Sequence, residues 1–291
     1  MEYMSSKLFQ QIKNGFVIPG AWDSWKDYRN QLTALIREEV IEPEDSLLIL
    51  GAGRCCDIDL NILAEHCGKI VLLDTDSTAM REALTRYKLE TSSKVSLVCG
   101  SLTGITEPDI EAFFQSLLSL VMKQGANLTE EAFRIRTMEE LQVLEQKLFV
   151  TGEQFAGVLA PESFDVVVCA GVHSQLFSLL SYCWKVLAAN VSEQILRRPV
   201  KEEWFHEKIR KWNDGMIPML DKAIIHAAKK KALFGCEYDP VSPIEGAYQC
   251  INDLRRNSKE TGPLVWPFDP GQGKHYVMKF MVTGTVKNTL W

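Results

Sequence analysis

The sequence predicts an α/β fold: a doubly wound, mostly parallel seven-stranded sheet that ends in a C-terminal antiparallel hairpin. Three observations indicate it. Segments that are apolar on both faces recur along the chain, helical patterns separate them, and a turn-rich segment joins the last two extended pieces. Such an alternation is typical of a parallel sheet covered by helices on each side. We also predict an N-terminal helical cap and two helical insertions, all within one structural domain.

The N-terminal cap is predicted over residues 1–42. Its apolar side chains Leu32, Ile36 and Val40 recur at four-residue steps, which gives one apolar stripe on a helix. The sequence IEPED then ends the helical pattern before the first strand. The remaining chain, residues 43–291, is predicted as the sheet-containing domain.

The elements of that domain follow in order along the sequence. Five strands are predicted over 46–50, 69–76, 94–102, 163–171 and 231–239, and the hairpin over 263–268 and 275–286. Helices are predicted over 57–68, 77–90 and 244–257, and the two helical insertions over about 106–160 and 190–230. The insertions are helical in pattern and too long to be loops.

Composition limits the function classes. The chain has 291 residues, 46% of them hydrophobic and 24% charged, and a net charge of −6, which disfavours nucleic acid as a partner. No apolar run approaches the roughly 18 residues that span a bilayer. The eight cysteines include no C-x-x-C pair, so the spacing predicts no metal site, and we expect reduced thiols in the cytoplasm.

The first strand ends in a glycine turn, LLILGAGRCCD, in which Gly51 and Gly53 allow the backbone to bend sharply. A dinucleotide fingerprint would have a third glycine where Cys56 stands. Asp57 is a predicted N-cap of the helix that follows, whose N-terminus would suit an anion or a carboxylate. Asp74 lies near the end of the second strand, about 20 residues beyond Gly53, where a carboxylate can accept two ribose hydroxyls.

On these residues the sequence resembles the class I S-adenosylmethionine-dependent methyltransferases. The resemblance covers Leu47–Leu102 and Ser163–Gly171 together with the terminal hairpin. It implies S-adenosylmethionine as the cofactor and in-line methyl transfer to a small-molecule acceptor. In this family the first loop passes a methionine moiety and not a pyrophosphate, so Cys56 is less disturbing here than it would be in a dehydrogenase.

The resemblance also implies roles for individual residues. The methionine portion would be lined by Gly51, Ala52 and Gly53, and the ribose would be held by Asp74. The adenine would be flanked by Thr75, and its amino group would lie at Ser101 and Leu102. The ammonium group would receive backbone carbonyls from Cys169, Ala170 and Gly171. Two positions depart from the family pattern. Leu50 replaces the usual acid before the first glycine, so Asp57 or Asp59 would supply the missing charge, and Ser101 replaces an aspartate.

Two residues are candidates for a catalytic role. His173 follows the fourth strand at its carboxyl edge, where it could act as a base or simply pack and cap the next helix. Tyr238 follows the fifth strand at the same edge, beside Asp239. Trp22, Trp25 and Tyr28 could cover the cofactor or pack an added helix. A base is optional, because an amine or a thiolate acceptor needs little activation.

Two other functions use the same fold. An NAD-dependent oxidoreductase would use the same turn, although Cys56 and the missing Tyr-x-x-x-Lys pair disfavour it. A non-catalytic nucleoside-binding protein is suggested by the departures at Leu50 and Ser101. The chain also lacks the Asn/Asp-Pro-Pro-aromatic run of base-methylating enzymes, which disfavours methylation of DNA adenine.

Overall fold

Seven strands form the centre of the fold in the computed structural model, which describes residues 2–15 and 17–284. The strands are β1 (Ser46–Leu50), β2 (Lys69–Asp74), β3 (Val95–Cys99), β4 (Phe164–Ala170), β5 (Ala228–Tyr238), β6 (Lys259–Asp269) and β7 (Lys274–Gly284). They lie in one sheet in the order β3-β2-β1-β4-β5-β7-β6. β1 to β5 pair in parallel, whereas β7 runs antiparallel to β5 and β6. The predicted fold class is confirmed.

The helices alternate with the strands or interrupt their succession. They are α1 (Glu2–Gly15), α2 (Ala21–Ser24), α3 (Lys26–Leu35), α4 (Leu60–His66), α5 (Ser77–Tyr87), α6 (Glu107–Gln124), α7 (Glu130–Glu145), α8 (Gly152–Ala156), α9 (Ser178–Asn190), α10 (Glu203–Ala227) and α11 (Ala247–Leu254). Within the described residues, no helix is both long and apolar enough to cross a bilayer.

The chain divides into two compact units by its internal contacts. The helical unit comprises Met1–Ile18, Thr103–Phe149 and Gln175–Trp212, and the sheet unit comprises Pro19–Leu102, Val150–Ser174 and Asn213–Trp291. The predicted N-terminal cap is therefore shared between them. That the whole chain acts as one structural domain stays a prediction.

The helical unit has an aromatic core. The ring of Trp184 stacks on that of Phe205 at 4.1 Å between centroids, and both side chains are fully buried. Phe9 of α1 packs against Phe114 of α6, with 6.0 Å between the ring centroids. α1 is also tied to the start of α6 by an ion pair of 2.7 Å between Lys13 and Glu107.

The sheet unit is built on strands whose apolar side chains are buried on both faces. Leu47 to Leu50 of β1 are each at most 2% exposed, as the uninterrupted apolar pattern predicts. α3, continued by a π-helical turn (Ile36–Val40), contributes Leu32, Ile36 and Val40 to the core on one face. The predicted apolar stripe therefore packs against the sheet.

The predicted helical boundaries are not all confirmed by the structure. The predicted helix over 57–68 begins only at Leu60, because residues 55–58 fold inward and the Tyr87 hydroxyl lies 3.1 Å and 2.6 Å from the carbonyl oxygens of Cys55 and Ile58. The helical pattern over 1–42 is broken between α1 and α2. Residues 1 and 16 of that cap, and 285 and 286 of the last strand, lie outside the described residues.

Candidate cofactor site

The loop after β1 contains the sharp bend that its two glycines predict. Gly51 has a φ of +63° and Gly53 a φ of +46°, both in the left-handed region. A Cβ at Gly51 would lie 2.6 Å from Cγ2 of Val172, in the loop after β4. The Ala52 amide donates a hydrogen bond of 3.2 Å to the Leu73 carbonyl of β2. The bend is therefore held close to the ends of two neighbouring strands.

Asp74 closes this bend from the end of β2. Its Oδ2 accepts a 2.9 Å hydrogen bond from the Gly53 amide, and its Oδ1 accepts one of 2.8 Å from the Asp76 amide. The Thr75 hydroxyl lies 3.5 Å from Oδ1. Burial raises the pKa of Asp74 and these hydrogen bonds oppose the rise. A carboxylate offers about four acceptor positions, so it can still accept hydrogen bonds from a ligand.

The segment after β3 lies beside Asp74. The Gly100 amide donates a 3.0 Å hydrogen bond to the Asp74 carbonyl oxygen. Ser101 and Leu102 follow directly; Ser101 is half-buried and Leu102 is buried. Thr75 itself is exposed. The structure thus brings the predicted ribose and adenine residues to the ends of adjacent strands.

At the end of β4, backbone groups are available to the candidate site, but the side chain of Cys169 is not. Gly171 has a φ of +68°, its amide donates 2.8 Å to the Gly235 carbonyl, and a Cβ there would contact the Trp266 ring at 3.5 Å. Cys169 is fully buried, and its Sγ lies 3.9 Å from Nδ1 of His173. Only the backbone of Cys169 is left for the predicted cofactor contact. Ala170, between these two residues, is half-buried.

Asp57 is not the helix cap that the sequence predicts. The cap of α4 is Asp59, whose Oδ1 accepts hydrogen bonds from the Asn61 and Ile62 amides at 3.0 Å and 3.3 Å. Asp57 is partly buried in the preceding loop. Burial raises its pKa to about 6, against the opposing effects of its own backbone hydrogen bond and the Arg29 charge. The other sequence interpretation, that Asp57 supplies the acidic character missing at Leu50, stays a prediction.

The N-terminus of α4 is already satisfied from within the chain. The Asp59 carboxylate occupies two of its free amides and adds a negative charge there. An incoming phosphate would meet this carboxylate instead of free N–H groups. The sequence-based expectation of an open helix N-terminus at this turn is wrong, because the loop is longer than predicted and ends in an acidic cap.

His173 lies inside the protein. Its side chain is fully buried, and Nε2 is 2.7 Å from Oδ1 of Asp221 on α10. Burial lowers the pKa of His173, but Cys169 and Asp221 have the opposite effect, and the pKa is raised well above its ordinary value. A ring held in this way offers no nitrogen to an acceptor at the surface of the sheet edge.

Tyr238 and Asp239 lie at the open end of β5. The ammonium of Lys279 is 4.1 Å from the centroid of the half-buried Tyr238 ring. Asp239 accepts hydrogen bonds from the amides of Val241 and Ser242, which lower its pKa and form a turn. Tyr238 therefore remains a candidate by position, whereas Asp239 has a local structural role.

The N-terminal aromatic side chains pack within the sheet unit. Trp22 lies under the Arg29 guanidinium at 3.8 Å, and Tyr28 stacks on Trp266 at 5.7 Å between ring centroids. Trp25 meets the edge of Trp266 and donates a 3.2 Å hydrogen bond from Nε1 to the Phe268 carbonyl. Of the two interpretations offered by the sequence, covering the cofactor or packing an added helix, these contacts correspond to packing.

Glu237 is a potential site residue that the sequence analysis missed. It precedes Tyr238 in β5, is 2% exposed, and accepts a 2.6 Å hydrogen bond on Oε1 from the Ser174 hydroxyl. Its Oε2 has no hydrogen-bond partner among the described residues. Burial raises the pKa of Glu237. Burial also raises the pKa values of Tyr28 and Tyr276, and the charge of Glu237 adds to both shifts, after that of Asp57 at Tyr28. The available signal was one acid inside the apolar strand KALFGCEYD.

Comparison with known proteins gives similarity of fold only. No family model and no curated protein matches the chain. Similar solved structures include the N-methyltransferase NodS of Bradyrhizobium japonicum WM9, at 12% identity and a TM-score of 0.44 over 90% of this chain and 97% of that one. Another is the magnesium protoporphyrin IX methyltransferase ChlM of Synechocystis PCC 6803 with bound SAM, at 9% identity and a TM-score of 0.43 over 92% and 85%.

A third similar structure is PH1948 of Pyrococcus horikoshii, described as a putative RNA methyltransferase, at 10% identity and a TM-score of 0.42 over 97% of this chain and 98% of that one. The class of fold follows from this chain itself. Its mostly parallel seven-stranded sheet with an antiparallel C-terminal pair is the fold implied by the resemblance to the class I S-adenosylmethionine-dependent methyltransferases.

Proposed function

We propose that this chain binds S-adenosylmethionine at the bend after β1 and transfers its methyl group to a small-molecule acceptor. The observation that carries the proposal is the Asp74 carboxylate, fixed at the end of β2 by the amides of Gly53 and Asp76. This placement suits a carboxylate that accepts both hydroxyls of a ribose. Its oxygens are oriented before any ligand arrives, so little ordering is needed on binding.

The other predicted residues have consistent places in this proposal. Gly51, Ala52 and Gly53 bring backbone, without bulky side chains, to the methionine portion. Thr75, Ser101 and Leu102 flank the adenine. Ala170, Gly171 and the Cys169 backbone face the ammonium group, and Asp57 supplies the acidic character that Leu50 lacks. The eight cysteines are all unpaired thiols, which supports a reducing compartment such as the cytoplasm.

The capped N-terminus of α4 favours this cofactor over NAD. A dinucleotide places its pyrophosphate on the free amides of the helix that follows the glycine turn. Here Asp59 takes those amides with its own carboxylate. A cofactor that has one amino-acid portion and no phosphate does not need them. The oxidoreductase alternative is therefore the weaker one.

The chemistry we propose depends on positioning more than on a base. Holding the nucleophile in line with the sulfonium methyl can contribute on the order of 7–11 kcal/mol. His173 is buried against Asp221, so we assign it no proton transfer with the acceptor. Glu237, with its unpartnered Oε2, is the residue we propose for recognising a polar or cationic acceptor. Tyr238 is the second candidate, at the open end of the same strand.

Calorimetric titration tests the proposal. We expect the full chain to bind S-adenosylhomocysteine more tightly than adenosine, because the methionine portion contributes its own contacts. NADH is expected not to bind. Equal affinity for adenosine and S-adenosylhomocysteine would favour the non-catalytic nucleoside-binding protein, and binding of NADH alone would contradict the proposed cofactor. Glu237→Gln and Tyr238→Phe then test acceptor recognition in a methyl-transfer assay over small-molecule acceptors.

A further inference from the structure

A second group of chemically active side chains lies under the carboxyl ends of β4 and β5. We call Cys169, His173, Cys236 and Cys250 the thiol–imidazole cluster. Each of the four residues is at most 1% exposed. One ligand atom from each of His173, Cys236 and Cys250 lies within 4.8 Å of the others, and Cys169 Sγ is 3.9 Å from Nδ1 of His173. The side chains of the cluster take no part in the proposed cofactor site, to which Cys169 contributes only its backbone.

The fold brings the cluster together from three separate segments. Cys169 is the register partner of Phe234 in the parallel pair β4–β5, so their side chains share one face of the sheet. Cys236, two residues after Phe234, faces the same side. Cys250 comes from α11, where its amide donates a 3.1 Å hydrogen bond to the Gly246 carbonyl. His173 follows β4 directly.

Gly246 makes the approach of α11 possible. Its φ is +82°, and a Cβ at this position would lie 2.1 Å from the carbonyl oxygen of His173. Any side chain there would push the start of α11 away from the loop after β4. The helix would then carry Cys250 away from the imidazole. The close contact between these two backbones therefore positions a ligand-bearing helix.

Asp221 orients the imidazole. Its Oδ1 lies 2.7 Å from Nε2 of His173, and the carboxylate is fully buried. This leaves Nδ1 on the side of the sulfur atoms, as its 3.9 Å distance to Cys169 indicates. Metal-binding histidines usually donate their second ring N–H to a carboxylate or carbonyl group, which fixes the ring and the tautomer.

We propose that the thiol–imidazole cluster binds a structural zinc ion through three sulfur atoms and Nδ1 of His173, with Asp221 orienting the imidazole. Three cysteines and one histidine form a recognised tetrahedral zinc ligand set. In such a site the ligand atoms are about 3.5–3.8 Å apart, given metal–ligand distances of roughly 2.0–2.3 Å. His173, Cys236 and Cys250 would draw together by about 1 Å from separations of up to 4.8 Å, and the Cys169 sulfur would move towards the two other sulfur atoms from its place beside Nδ1. Zinc would displace the thiol protons.

The burial of the cluster makes the role structural. All four donors come from the protein and none reaches solvent, so no open coordination position is left for a substrate. The ion would join β4, β5 and α11 at one point. This inference stands apart from the proposed cofactor, because the four ligand atoms belong to side chains outside the cofactor site and the test uses no S-adenosylmethionine.

Metal analysis of the full chain, purified under reducing conditions, is the first test. Mass spectrometry of the elements is expected to give one zinc ion per chain, as purified or after addition of zinc. Replacement by Co²⁺ is expected to give a thiolate-to-cobalt charge-transfer band and the intense visible bands of a tetrahedral site. A chain that binds neither ion stoichiometrically would overturn the proposal.

Variants identify the ligands. Cys250→Ser is expected to lose the metal and the charge-transfer band, whereas Cys67→Ser, a change at another fully buried cysteine, is expected to keep both. Asp221→Asn keeps the four ligands and is expected to bind zinc about 10- to 100-fold more weakly. Unchanged binding in Cys250→Ser would overturn the assignment. If Cys250→Ser does not fold, the cobalt spectrum of the unmodified chain and the zinc affinity of Asp221→Asn still test the proposed metal site.

Thiol counting separates zinc from oxidation. If the cluster binds zinc, the denatured chain without reductant is expected to show all eight thiols. Two fewer thiols, with Cys236 and Cys250 linked in the peptide map, would mean that the pair forms a disulfide. That result would contradict the metal site.

Discussion

The carboxyl ends of β1 and β2 and those of β4 and β5 lie along one edge of the sheet. The two regions differ in the surroundings that each gives to an acidic side chain, half-buried in one and fully buried in the other. At β2, Asp74 is held by backbone amides and keeps acceptor capacity toward a ligand. At β4 and β5, Asp221 is fully buried and directed at one imidazole among thiols. The first arrangement suits reversible binding of a polar molecule, and the second suits a permanent internal contact.

The two regions differ in the groups that compensate the charge of Asp74 and that of Asp221. Asp74 is fixed by hydrogen bonds from the amides of Gly53 and Asp76, and its remaining acceptor positions are left for a diol. Asp221 has its partner supplied by the fold, and a buried carboxylate that loses such a partner is costly. One edge of the sheet can therefore combine a ligand site with a structural anchor. The predictions below test this division, beginning with the largest expected effect.

Asp221→Ala is expected to lower the free energy of unfolding by about 3–5 kcal/mol, because it leaves the His173 ring buried without its partner. Chemical denaturation followed by circular dichroism measures the change. Asp214→Ala is the matched control, because Asp214 is on the same helix and also accepts a hydrogen bond, from Gln249, but is exposed. Equal effects of the two substitutions would remove the proposed difference between the two regions.

Asp74→Ala is expected to weaken binding of S-adenosylhomocysteine about 100-fold, since two charge-assisted hydrogen bonds to the ribose are lost. Calorimetric titration gives the dissociation constant. Glu65→Ala, at an exposed acid on α4, provides a control with the same change of charge. If both variants bind as the unmodified chain does, Asp74 has no part in the cofactor site.

Gly51→Ala is expected to destabilise the chain by about 2 kcal/mol, through the positive φ and the 2.6 Å contact that its Cβ would make with Val172. Gly53→Ala shares the positive φ, but its Cβ would be 4.0 Å from the nearest atoms, so we expect about half that loss. Thermal unfolding compares the two. The Gly51→Ala, Val172→Ala double variant should recover part of the stability. If it recovers none, the contact with Val172 is not the cause of the destabilisation.

Asp57→Asn is expected to stabilise the chain by about 1–2 kcal/mol above pH 7 and by little at pH 4. The folded-state pKa of Asp57, about 6, is above its ordinary value of 3.8, so ionisation opposes folding. This destabilisation is absent below pH 4, grows as the pH rises through 6, and is complete above 7. Solvent screens part of this destabilisation, because the Asp57 side chain is partly exposed. Denaturation curves of both proteins at several pH values give the difference, and a difference that does not vary with pH would contradict this explanation.

Local patterns predicted much of the fold and the proximity of several candidate cofactor residues. The apolar run of β1 gave its bounds without error, and the glycines, Asp74 and the loop after β3 are brought together as expected. These features are set by residues close in sequence and by the general rule that carboxyl ends of parallel strands share an edge. The resemblance to a known family implied roles for these residues, but it did not predict the distances between them.

What the sequence could not predict depends on contacts between distant segments. Cys169, Cys236 and Cys250 have no metal-binding spacing, and only the β4–β5 register and the approach of α11 bring them together. The start of α4 was misplaced because the Tyr87 hydroxyl binds the preceding loop from another helix. In each case a tertiary contact outweighs the local pattern.

A crystal structure of the chain with S-adenosylhomocysteine tests the central claim most directly. We expect both ribose hydroxyls within hydrogen-bonding distance of the Asp74 carboxylate and the homocysteine portion against the backbone of Gly51 to Gly53. A complex in which the nucleoside lies away from Asp74, while that carboxylate keeps only its backbone donors, would contradict the account.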